Sequence, residues 1–123
     1  MKPYETVTVC GSEYHFKLTT ANAVKLEAEL KTDILSGLDR LAEIGILAKY
    51  YYYAAVSLND SINKIDDVYS LFDDYITDGG SYEQLQELTF DIMLVSGVIS
   101  EKTYTAAKKI KEEQKKALLK LLN

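Results

Sequence analysis

DDVYSLFDDYITDGGSYEQLQELTFDIMLVSGVI, residues Asp66 to Ile99, reads as two helices joined by a sharply punctuated turn. In the first helix Val68, Phe72, Tyr75 and Ile76 recur at helical spacing, and Ile65 and Tyr69 widen the stripe. Gly79 and Gly80 then supply a left-handed stop at little steric cost, and one of the two is expected to take that conformation while its neighbour tolerates alanine. Ser81 is placed as an N-cap, with Gln84 three residues on to complete a capping box. Leu85, Leu88, Ile92 and Val95 carry the second helix, which Gly97 closes. Start signals, stop signals and apolar period agree at each boundary.

Towards the N-terminus, residues 4–18 alternate as a β-hairpin. Val7 and Val9 oppose Thr6 and Thr8, and beyond Cys10-Gly11-Ser12-Glu13 the residues Tyr14, Phe16 and Leu18 share a face. Two strands alone are marginal in water, so the hairpin must lie on helices or recruit a partner through an edge. Thr19 or Thr20 caps a helix with Ala23, Val24, Leu26 and Leu30 as its apolar residues. After a break at Lys31-Thr32-Asp33, Ile34, Leu35, Leu38, Leu41 and Ala42 outline a short helix weakened by Ser36-Gly37. Gly45 is expected to separate it from a helix running from Ile46 to about Leu58, which Asn59-Asp60-Ser61 ends. Ser100 caps a last helix, in which Tyr104, Ala107, Ile110, Ala117, Leu118 and Leu121 form a thin stripe.

The expected fold is therefore mainly α (α+β), one domain over residues 1–123. It comprises the hairpin at 4–18 packed on a bundle of five or six short helices across 20–99, and a longer basic helix at 100–122. With 123 residues, 47% of them hydrophobic and one proline, the composition is that of an ordinary globular domain. No apolar run is long enough to span a bilayer, and the first residues lack the apolar core of a signal peptide, so a cytoplasmic location is expected. The single Cys10 fits a reducing compartment.

A net charge of −5 conceals two opposed regions. Glu101–Asn123 holds seven lysines against three glutamates, a net +4, while the preceding hundred residues carry −9. A basic tail on an acidic body, with Arg40 as the sole arginine, argues against nucleic acid as a partner. Docking of the basic helix on its own body, or on a neighbouring copy, is the expectation over a membrane surface.

Candidate chemistry is thin. His15 points away from Tyr14 and Phe16 and is expected to face solvent, and neither a second histidine nor a second cysteine stands by to complete a metal site. Cys10 with His15 lacks a third group to orient the histidine. Asp66-Asp67 suits a helix start, Asp73-Asp74 suits a solvated face, and the calcium-loop spacing is absent. With no phosphate loop or serine elbow either, no catalytic residue, metal or cofactor is expected. Tyr50, Tyr51, Tyr52 and Tyr53 are more telling. Four consecutive helical positions sweep the whole circumference, so two are expected inside and two outside, where tyrosine offers contact area at low entropic cost. These four are the candidate partner-binding residues.

Phe72-Asp73-Asp74-Tyr75, then Gly79-Gly80-Ser81, an amphipathic helix and Ser96-Gly97-Val98-Ile99 form a run that resembles the tail assembly chaperones of long-tailed (siphophage-type) bacteriophages and prophages. Phe16-Lys17-Leu18-Thr19-Thr20, a strand leading into a capped helix, is a second point of likeness. The resemblance spans roughly residues 14–99 and rests on packing and capping features. It implies a non-enzymatic protein of the bacterial host cytosol that coats the tape measure protein, keeps it soluble and recruits tail tube protein subunits, without a cofactor. In many relatives a translational frameshift adds a second domain. The tyrosine content and the tail beyond Ile99 depart from the family pattern. The alternative is a small cytosolic adaptor or regulatory helical domain that dimerises through its C-terminal helix.

Overall fold

A computed structural model describes residues 2–122. Strands β1 (Glu5–Val9) and β2 (Ser12–Phe16) pair antiparallel, with Val7 opposite Tyr14 and Thr6 opposite His15. The turn is only Cys10-Gly11. Both residues have positive φ, 49° and 82°, the signature of the mirror-image turn whose twist matches a hairpin.

Among the described residues six α-helices follow: α1 (Thr20–Leu30), α2 (Ile34–Gly37), α3 (Ile44–Ala55), α4 (Ile65–Thr77), α5 (Tyr82–Val95) and α6 (Glu101–Leu122). The expected architecture of hairpin, helical body and long final helix is the one observed. Thr19 caps α1 and Asp33 caps α2, each accepting from the backbone N–H three residues on. Asp67 accepts from the Asn63 and Lys64 amides at the entry to α4, at 2.8 and 3.1 Å. Those bonds to the charged form hold its carboxyl below the ordinary aspartate value.

The α4–α5 turn follows its reading closely. Gly79, at φ 100°, ends α4 with a complete Schellman motif in which Gly80 N–H donates to Tyr75 O and Gly79 N–H to Ile76 O. Ser81 and Gln84 then form the reciprocal capping box. Gly97, at φ 77°, closes α5 with the same motif, Val98 N–H donating to Met93 O.

Several details differ. Gly45 lies inside α3, in its first turn; the chain instead breaks at Glu43, whose extended backbone starts the helix. At the other end α3 stops at Ala55, and residues 56–58 form a turn over the Ala55 carbonyl, which accepts from the Leu58 and Asn59 N–H groups and from Asn59 Nδ2. The segment after α2 tightens into a 3₁₀ turn, Leu38–Arg40, and does not continue as α-helix. Val24, Leu35, Ala42 and Ile76 are exposed, while Leu71 is buried in place of Ile76. The α4 stripe is thus rotated by part of a turn, because the helix packs on α3 and β1 at once.

Helix α3 is the hub, touching α1, α4, α5 and β2. Ala48, Ala54 and Ala55 are fully buried, which lets neighbouring backbones come close. Through the centre runs an edge-to-face series of rings: Phe16 to Tyr51 at 5.2 Å, Tyr51 to Phe72 at 5.1 Å, and Phe72 to Tyr82 at 6.3 Å. It joins β2, α3, α4 and α5 in one core.

Candidate partner-binding surface

The tyrosine run divides by what each hydroxyl can reach. Tyr50 and Tyr51 are both 1% exposed. Tyr50 donates to Ile34 O and Tyr51 to Leu85 O, each at 2.6 Å, so both polar tips are satisfied inside the core. Burial pushes both hydroxyls well above the ordinary tyrosine range, and they stay neutral donors. As structural members of the core, these two are not available to a partner.

Tyr52 and Tyr53 lie half-buried on the outside of α3, their rings edge to face at 5.1 Å. Tyr52 donates to Asn63 O at 3.2 Å, and Tyr53 reaches Glu29 Oε1 at 3.5 Å. With Ile65 and Tyr69 of α4 they line an open groove of about 350 Å³, bordered by Glu29, Lys49 and Lys64. Burial and the Glu29 carboxylate together raise the Tyr53 hydroxyl above its ordinary value. Ile65 and Tyr69 were legible in the sequence as apolar, but there they belonged to the core stripe of α4. Their place beside Tyr52 and Tyr53 depends on how α3 and α4 cross, which no local pattern records.

The hairpin contributes less open edge than its isolation in sequence suggests. Asn59 covers the outer edge of β2, accepting from His15 N–H at 2.9 Å and donating to His15 O at 2.7 Å. Lys17 N–H donates to Ala54 O, and Leu18 N–H to Ser96 Oγ. On β1 the register turns the Thr6 and Thr8 backbone groups outward, and on β2 those of Glu13.

Cys10 and His15 are not brought together. His15 pairs across with Thr6, about 13 Å along β1 from the turn, and its Nδ1 faces Thr6 Oγ1 at 3.1 Å. It is half-buried beneath Tyr4, with ring centroids 4.3 Å apart, and so is less open than expected. The Cys10 thiol sits against Asp74 O, and desolvation with the nearby Asp78 and Asp74 charges raises it away from thiolate character. Asp66, Asp73 and Asp74 are exposed, and among the described residues no cluster of histidine, cysteine and carboxylate groups is arranged to hold a metal ion.

A second cleft, about 470 Å³, lies between the N-terminal segment, α5 and α6, lined by Lys2, Glu5, Asp91, Leu94, Val95, Glu101 and Tyr104. Most of its charges are engaged: Lys2 with Glu5 at 3.1 Å, and Asp91 with Lys108 at 3.6 Å and with the Tyr104 hydroxyl, which donates to it. No described helix is long and apolar enough to cross a membrane. Comparison of the chain with protein-family models, with curated proteins and with solved structures finds no match.

Proposed function

We propose that this protein is a non-enzymatic tail assembly chaperone that takes amphipathic helices of a tape measure protein in the groove between α3 and α4. The observation that carries this reading is the half-open set Tyr52, Tyr53, Tyr69 and Ile65. Flat aromatic faces with wet hydroxyl tips accept many apolar side chains without demanding one sequence. A partner as long and repetitive as a tape measure protein would engage many copies, so each contact can stay weak while the whole binds tightly. The likeness of residues 14–99 to that family supplies the identity of the partner, and tail tube protein would be brought to the same complex. The host cytosol is where such an assembly would take place.

Co-expression with the tape measure protein encoded beside it should keep that protein soluble. The double variant Tyr52→Ser, Tyr53→Ser should lose this rescue while retaining the helical circular dichroism of the native chain. An insoluble tape measure protein in the presence of native chain, with no complex on size exclusion, rejects the reading. The uncovered leucines at the end of α6 favour the second reading, a small adaptor or regulatory domain, and the absence of a tape measure gene alongside would favour it too.

A further inference from the structure

α6 outruns the helix it lies on. The two helices run antiparallel, with Lys108 beside Asp91 at 3.6 Å and Lys115 beside Glu83 at 3.2 Å and Glu87. α5 begins at Tyr82, so α6 beyond Lys115 extends past its end for about 10 Å of helix. Leu119, Leu121 and Leu122 on this overhang are 59, 82 and 74% exposed. Three leucines together on the last two turns of one helix form an apolar patch that a soluble chain rarely leaves bare.

A surface of opposite charge and matching character lies on α4. Asp66, Tyr69, Asp73 and Ile76 share one outward face at helical spacing, and all four are exposed. α4 carries four aspartates and no cation, whereas α6 carries seven lysines against three glutamates. The α4 face thus presents apolar side chains among carboxylates, and the α6 overhang presents leucines beside Lys116 and Lys120, so the signs are complementary. The overhang does not reach such a surface on its own body, since it is pinned along α5 and its leucines remain open. Pairing of two α6 helices would oppose lysine to lysine.

We infer that the α6 overhang of one copy docks on the Asp66–Tyr69–Asp73–Ile76 face of a second copy. The two patches are different surfaces, so the contact is head to tail and propagates into a chain of copies or closes as a ring. Tyr69 belongs to both this face and the tyrosine groove, but Asp66, Asp73 and Ile76 lie outside the groove, so reversing the aspartates tests the contact between copies apart from the tape measure reading.

Sedimentation velocity of the purified full chain over a concentration series, at low and high salt, tests it. The mass should rise with concentration at low salt and fall back as salt screens the contact. Asp66→Lys with Asp73→Lys, and separately Lys116→Glu with Lys120→Glu, should each weaken association about tenfold or more. The quadruple variant, with both surfaces reversed, should regain it, which a merely misfolded chain would not. Leu119→Ser, Leu121→Ser, Leu122→Ser should abolish association with helical content preserved. A monomer at every concentration overturns the inference. So does a dimer indifferent to the α4 reversals, which would mean paired α6 helices, or a monomer whose α6 binds anionic phospholipid vesicles.

Discussion

At Gly79 the backbone stands at φ 100°, where a side chain is strained, although nothing crowds the space a Cβ would fill. At Gly80 the backbone is unexceptional, but a Cβ would run into the ring of Tyr75. The neighbour expected to tolerate alanine has room for a methyl group only if the Tyr75 ring shifts. Gly79→Val should cost about 1–2 kcal/mol through backbone strain, and Gly80→Ala about 1–3 kcal/mol by displacing that ring. Urea midpoints measure both, and a neutral Gly80→Ala would mean that Tyr75 moves aside freely. Gly37 teaches the same lesson. In sequence it weakens a helix, whereas in the fold a Cβ there would meet the Tyr50 hydroxyl and Leu30. Turn glycines are legible because φ is a local property, and clearance glycines are not, because their partner lies elsewhere in the chain.

Among the elements, α6 separates what periodicity can and cannot say. Its stripe begins as read, with Tyr104 and Ala107 half-buried against α5, yet Ile110, Leu118 and Leu121 stay exposed. Leu118 and Leu121 lie beyond Lys115, where α5 ends, whereas Ile110 runs alongside α5 but faces away from it, the half-buried positions there being Lys108 and Lys111. Likewise the tyrosine run implies two rings in and two out, while the choice of Tyr50 and Tyr51 depends on carbonyls at Ile34 and Leu85. What anchors α6 is mostly polar, with the Tyr104 hydroxyl donating to Asp91 and Lys115 between Glu83 and Glu87. The bond to Asp91, burial and the neighbouring carboxylates push the Tyr104 hydroxyl up to about 12. Its folded value lies above its unfolded value near 10, so its contribution is intact below pH 10 and is lost as pH rises towards 12. Alkaline titration should release α6 from α5 in that window. Tyr104→Phe should remove this step from the titration of the α5–α6 contact, followed by exchange of α6 amides.

Across the whole molecule, the hairpin that would be marginal alone is stitched into the helical body at four places. Cys10 N–H donates to Asp78 Oδ2, His15 exchanges two bonds with Asn59, Lys17 N–H reaches Ala54 O, and Leu18 N–H reaches Ser96 Oγ. These ties come from the ends of α3, α4 and α5, so the loss of the hairpin would strip the Ala54 carbonyl, Asp78 and Ser96 of those partners as well as expose Phe16 and Val9. Asn59 is the densest of them, because one side chain serves the His15 amide, the His15 carbonyl and the Ala55 carbonyl. Asn59→Ala would leave those half-buried groups to be hydrated at the edge of the core, at about 2 kcal/mol. If hairpin and helices form one cooperative unit, the variant should lower the urea midpoint with its slope unchanged. Far-ultraviolet dichroism, which follows the helices, and tyrosine fluorescence, to which Tyr4 and Tyr14 of the hairpin and Tyr51 beneath it contribute among ten tyrosines, should then give one coincident transition. An early fluorescence change with the helices intact would show instead that the hairpin opens alone, and that the helical body holds together without it.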